Sequence, residues 1–347
     1  MKEEYRLHYG LISKYRPVLM SVAILLIMFC HLSSGQSHHG VAVTRLASIL
    51  EAGNSGVDMF LFLSGVGLYY SYTQKPLSYW AFERKRFKRI IPYYLVIAGA
   101  TYLILSFLRN SFSLSKYICD LFYLTWFIEG STYFWYVFAI CVFYMSFPAI
   151  YSFIHNNEKS FLRTLVLCIA WLIGVKLLGY FVSYIKHFRI MLERFPIFIL
   201  GVYAGKLAYR QIRVKRVYCV FFILFGLAML VLQKLVLHGF IESQLRYPSR
   251  SAFAISIITA VILIMEFLEI TVPRLHSFLV RLFGWYGGLT YELYLLHQSY
   301  RLLLDFPYKP FGYFMSAFAL PTITAIGIWW VKTTWNQRKT HESFSHS

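Results

Sequence analysis

Apolar residues in this chain come in long unbroken runs, separated by short stretches that hold most of the charge. The first such run is KYRPVLMSVAILLIMFCH, Lys14 to His31, which basic residues enter and a histidine closes. That is close to the length of one bilayer-crossing helix. Ten such stretches can be drawn, at roughly 17–34, 55–73, 90–108, 132–154, 162–184, 194–209, 217–237, 251–269, 281–304 and 311–331. The run from Tyr117 to Ile128 is too short to cross and carries Asp120, so it is expected at the interface or re-entrant. No internal repeat or long polar insertion interrupts the series, and the tail 332–347 is short and polar. The pattern predicts an all-α polytopic membrane protein of about ten transmembrane helices, with residues 1–347 forming one membrane domain.

Composition sharpens the class. Charged residues make up 14% of the chain and hydrophobic ones 58%, with a mean hydropathy of +0.56. A soluble domain carries about a quarter charged residues, so that class is excluded. The net charge of +19 invites a nucleic-acid reading, but the basic residues sit in short loops between apolar runs. That arrangement suits cytoplasmic loops and anionic lipid headgroups, and no nucleic-acid partner is expected. Cys30, Cys119, Cys141, Cys168 and Cys219 show no paired spacing and are read as small buried apolar residues, without disulfides or a metal site. The first run lacks a small-residue cleavage site after it and is read as a retained anchor. With the amino terminus inside, about 22 Lys and Arg fall on that side and about nine on the other, which places both termini in the cytoplasm and the protein in the cell membrane. The 185–194 loop, with three basic residues on the outer side, fits this least well.

Polar residues within the runs are costly and therefore informative. His31 lies at the outer end of the first helix and Arg16 at its cytoplasmic end, about 22 Å apart at about 1.5 Å of rise per residue. His31 faces either the membrane surface or a polar cavity. Asp58 lies near the outer end of the second run, level with His31. It either caps its helix or orients the imidazole and raises its basicity. Arg86 and Arg89 share a helix face at i, i+3 within a dense basic run. They anchor the loop or, as paired guanidinium groups, take phosphate. Glu292 and His297 lie inside a late span and need partners, which are expected to be each other or Arg301. Lys176, Lys234 and Glu266 are accounted for by snorkelling to the interface.

Several segments together resemble the membrane acyltransferase 3 family of O-acyltransferases. GVDMFLFLSGVGLYY is followed by the basic run with Arg86, Arg89, Ile90 and Pro92, then by YFWYVFAICVFYMSFPAIY, FPIFILGVYAG and FGWYGGLTYELYLLHQ. The resemblance covers nearly the whole chain and is carried by the order of the motifs. It implies transfer of an acyl group, commonly acetyl from acetyl-CoA, onto a hydroxyl of an extracytoplasmic glycan or its lipid-linked precursor. The donor is then acetyl-CoA or another acyl-CoA, with no tightly bound cofactor. In that family the first span carries an arginine, ten intervening residues and a histidine regarded as catalytic. Here the histidine is His31, but Met20 stands at the arginine's place. Eleven residues at about 100° each return position 20 to the face of His31, and Arg16 lies one turn earlier. The implied site is His31 as general base with Asp58 and Glu292, and Arg86, Arg89 and Arg16 on the donor. A transporter of a glycan or lipid-linked precursor is the rival reading, against which no matching pair of interrupted helices is seen.

Overall fold

The computed structural model describes residues 7–33, 51–130, 132–237, 246–304, 312 and 314–345. Among these there is no strand; one bridge, His8 to Arg213, ties the amino-terminal segment to a loop. The helices are α1 (Gly10–Lys14), α2 (Arg16–Ser33), α3 (Ser55–Gln74), α4 (Tyr79–Leu108), α5 (Leu114–Leu121), α6 (Leu124–Glu129), α7 (Trp135–His155) and α8 (Ser160–Phe181). They continue with α9 (Ile185–Leu192), α10 (Phe195–Tyr209), α11 (Arg216–Leu237), α12 (Arg246–Thr271), α13 (Pro273–Gly287), α14 (Thr290–Leu303) and α15 (Leu320–Ser345). Six described helices are long and apolar enough to cross a membrane: Tyr79–Leu108, Trp135–His155, Ser160–Phe181, Arg216–Leu235, Pro248–Thr271 and Met315–Thr334. The stretch Arg16–His31 is a shorter apolar helix. Arg45 and Lys309, two of the roughly nine basic residues counted above on the outer side, lie outside the described residues.

α3 is buried on every side from Ser55 to Val66, as a helix apolar all round must be. It crosses α10 at Gly65 and Gly201, and α2 and α12 pack against it as well. α8 and α11 instead expose Leu165, Ile169, Ile173, Phe221 and Leu224, a surface that only lipid or another helix can cover. The run 117–128 forms two short helices, α5 and α6, with a left-handed Tyr123 between them.

The expected span 281–304 is not continuous. α13 ends at Gly287 and α14 begins at Thr290. Tight packing accompanies the break: a Cβ on Gly287 would sit 2.1 Å from the Pro17 carbonyl oxygen. Only glycine lets α13 lie this close to the start of α2, and the Ser21 hydroxyl donates to the Phe283 carbonyl across the same contact.

The 185–194 loop is largely helical, as α9, and two of its three basic residues have acidic partners while Lys186 is exposed. Arg189 pairs with Glu193, and Arg194 turns inward to become fully buried.

Candidate active site

A cavity of about 450 Å³ opens between α2, α3, α4, α7, α13 and α14. Arg16, Arg86 and Arg89 all line it, from two helices distant in sequence, and no Asp or Glu is among its lining residues. Each guanidinium is shaped by its surroundings. Arg16 donates through Nε to the Leu63 carbonyl at 3.1 Å. A Cβ on Gly67 would lie 2.9 Å from the Arg16 guanidinium, so the glycine makes room for that head group. Arg86 donates through Nη2 to Ser71 Oγ at 2.9 Å and sits over the Phe82 ring; its Nε is buried with no partner among the described residues. Arg89 is exposed at the mouth. Met20, where the resemblance leads one to expect an arginine, lines the same cavity as Arg16.

The cavity's inner wall is aromatic. Tyr136, Tyr144, Tyr291 and Tyr294 line it, and the Tyr136 and Tyr294 rings lie 5.1 Å apart. Tyr294 then touches the His297 ring at 5.6 Å, and His297 stacks on His31 at 5.3 Å. A chain of rings therefore runs from the basic cavity to His31. His297 is fully buried, with Nδ1 2.9 Å from the Leu293 carbonyl oxygen. A carbonyl only accepts, so Nδ1 carries the hydrogen and Nε2 keeps its lone pair. That Nε2 is buried with no hydrogen-bond partner among the described residues.

Two expected partnerships are corrected. Asp58 does not serve His31: one oxygen accepts from Arg194 Nε at 3.3 Å and the other from Ser251 Oγ at 2.8 Å. Arg194 also donates to Asn54 Oδ1 and lies over the Trp135 ring. A buried carboxylate takes the nearest buried cation, and here it fastens α3, the start of α10 and α12 together. Glu292 does not pair with His297 or Arg301; it accepts from Lys332 Nζ of α15 at 2.5 Å. Glu266 and Lys234 do not simply snorkel: Glu266 pairs with Lys14 at 3.1 Å and accepts from Tyr15, and Lys234 lies 3.8 Å from Glu51. Arg194 and the tyrosine wall were not anticipated. A signal for the wall existed, because Tyr291, Tyr294 and His297 recur at i, i+3 on one face of α14.

A family model described as an acyltransferase domain matches residues 19–333. The chain belongs to the acyltransferase 3 family. No curated protein and no solved structure matches it. In this acyltransferase 3 protein the arginine-lined cavity and the imidazole pair are joined by tyrosines.

Proposed function

We propose that this acyltransferase moves an acyl group, acetyl from acetyl-CoA in the simplest case, onto a hydroxyl of an extracytoplasmic glycan or its lipid-linked precursor. The observation that carries this reading is the basic cavity whose aromatic wall leads to His31. Three guanidinium groups around one cavity repel each other, and an anion relieves that repulsion. The phosphates of coenzyme A supply the anion and match guanidinium geometry. In the reaction, the acceptor hydroxyl oxygen attacks the thioester carbonyl carbon as His31 takes its proton. The carbon–sulfur bond then breaks, and the proton leaves with the thiolate as coenzyme A thiol. A sugar hydroxyl is a weak nucleophile, so a base within hydrogen-bond reach is what the step needs. His297, packed face to face with His31, keeps that ring in place.

Proteoliposomes given radiolabelled acetyl-CoA and a panel of polysaccharide acceptors test the proposal. Stable label on an acceptor is expected; uptake of a glycan without covalent transfer would instead support a transporter. In the same assay, Arg86→Gln with Arg89→Gln is expected to raise the donor KM at least tenfold while the protein still inserts. Lysine at both positions is expected to restore it only in part, because the forked geometry is lost. Unchanged donor kinetics in the double Gln protein would reduce the pair to a membrane anchor.

A further inference from the structure

A second cavity, of about 150 Å³, lies under α5 and α6 at the far end of α4. Its charge is balanced, with Asp120 and Glu129 against Arg109 and Lys116, and the rings of Tyr102 and Tyr133 join its wall. The contrast with the arginine cavity is informative. Three cations with no carboxylate select an anion, whereas balanced charges, hydroxyls and aromatic rings select a neutral, hydroxyl-rich ring. Asp120 is already aimed: Thr125 Oγ1 donates to its Oδ1 at 2.6 Å, which leaves the other oxygen to accept from a ligand.

The turns around this cavity are left-handed, and one of them places a tyrosine in that conformation. Of the four positive-φ residues among the described ones, Asn110, Tyr123 and Gly130 lie in the turns that frame it, at φ 50°, 64° and 73°. A bulky residue such as tyrosine rarely adopts such a φ, and strain of this kind gathers at binding sites. The cavity is also fastened to the imidazole pair. Gln298 Nε2 donates to the Tyr133 carbonyl at 3.2 Å, and Thr101 Oγ1, beside Tyr102, donates to Ser299 Oγ at 2.7 Å. Gln298 and Ser299 directly follow His297 in α14.

We propose that this cavity binds a neutral sugar residue of the acceptor glycan and so presents a neighbouring hydroxyl to the His31–His297 pair. This rests on the acyltransferase reading above and assigns its acceptor side to α4–α6. The test uses the full-length protein in nanodiscs on an array of mono- and disaccharides, with coenzyme A binding to the same samples measured by calorimetry. The wild-type protein is expected to bind a subset of the saccharides. Asp120→Asn and Tyr133→Ala are each expected to weaken that binding at least tenfold and to leave coenzyme A affinity unchanged, which also shows that the variants are folded. Arg86→Gln is expected to do the reverse. No retained saccharide above empty nanodiscs, or binding that survives both cavity substitutions, overturns the assignment. Saccharide binding with the expected losses, but no coenzyme A binding in the wild type, keeps the sugar site and sinks the donor side of the proposed function instead.

Discussion

His31 is the residue on which the proposed chemistry turns. It closes α2, half-buried and stacked on a fully buried imidazole. Glutamine keeps hydrogen-bonding capacity at that position but cannot take a proton at neutral pH. His31→Gln is therefore expected to lose about 10² to 10⁴ in transfer rate, roughly 3 to 5 kcal/mol of barrier, with protein level and donor KM unchanged. Transfer at the wild-type rate by a well-expressed His31→Gln protein would move the base to His297. Asp58 is the opposite case. With Arg194 it forms an ion pair in which both side chains are fully buried, and removing one member of such a pair typically costs about 3–5 kcal/mol. Asp58→Ala and Arg194→Ala are each expected to lower thermal stability markedly in detergent, and the double variant by much less than their sum. A variant Asp58→Asn that melts like wild type yet transfers nothing would return Asp58 to the chemistry. The sequence made His31 and Arg16 legible because they bracket one apolar run, and Arg86 and Arg89 because they share a helix face at i, i+3. It did not reveal the partner of Asp58, since Arg194 lies 136 positions away and reads locally as a loop charge.

At the scale of elements, hydropathy marked where helices run but not where one stops and the next begins. The stretch 281–304 is apolar enough to read as one span, yet the Gly287–Gly288 pair ends α13 inside it. Glycines in membrane helices usually signal close packing, and only the structure shows that the packing partner is the Pro17 carbonyl of α2. That contact sets one wall of the arginine cavity. Adding a methyl group at Gly287 must push α13 off α2, because the neighbour is backbone and cannot rotate away. Gly284, one turn earlier and also lining the cavity, has open space where a Cβ would go. Gly287→Ala is thus expected to weaken coenzyme A binding at least tenfold, or to lower the yield of folded protein, while Gly284→Ala keeps near-native affinity. Calorimetry on both proteins in nanodiscs checks this. Equal affinities would mean that the α13–α2 contact does not shape the cavity.

For the whole molecule, function depends on which end of the bundle faces which compartment. α2 fixes the polarity, with Arg16 and the basic cavity toward one end and His31 at the other. By the excess of Lys and Arg in the loops at the Arg16 end, that end is expected to face the cytoplasm, the side on which the proposal needs its acyl-CoA. In the loop that fitted this least well, 185–194, Arg194 and Arg189 pair with Asp58 and Glu193, while Lys186 is exposed. Exposed positions on the two sides allow a direct measurement. Ser113 lies beyond the far end of α4, and Glu158 lies between α7 and α8 at the opposite end. With the five native cysteines replaced, a membrane-impermeant maleimide applied to intact cells is expected to label Ser113→Cys and to spare Glu158→Cys until the cells are opened. The reverse pattern would put the arginine cavity outside, away from acyl-CoA, and with it the donor assignment of Arg16, Arg86 and Arg89 would fall.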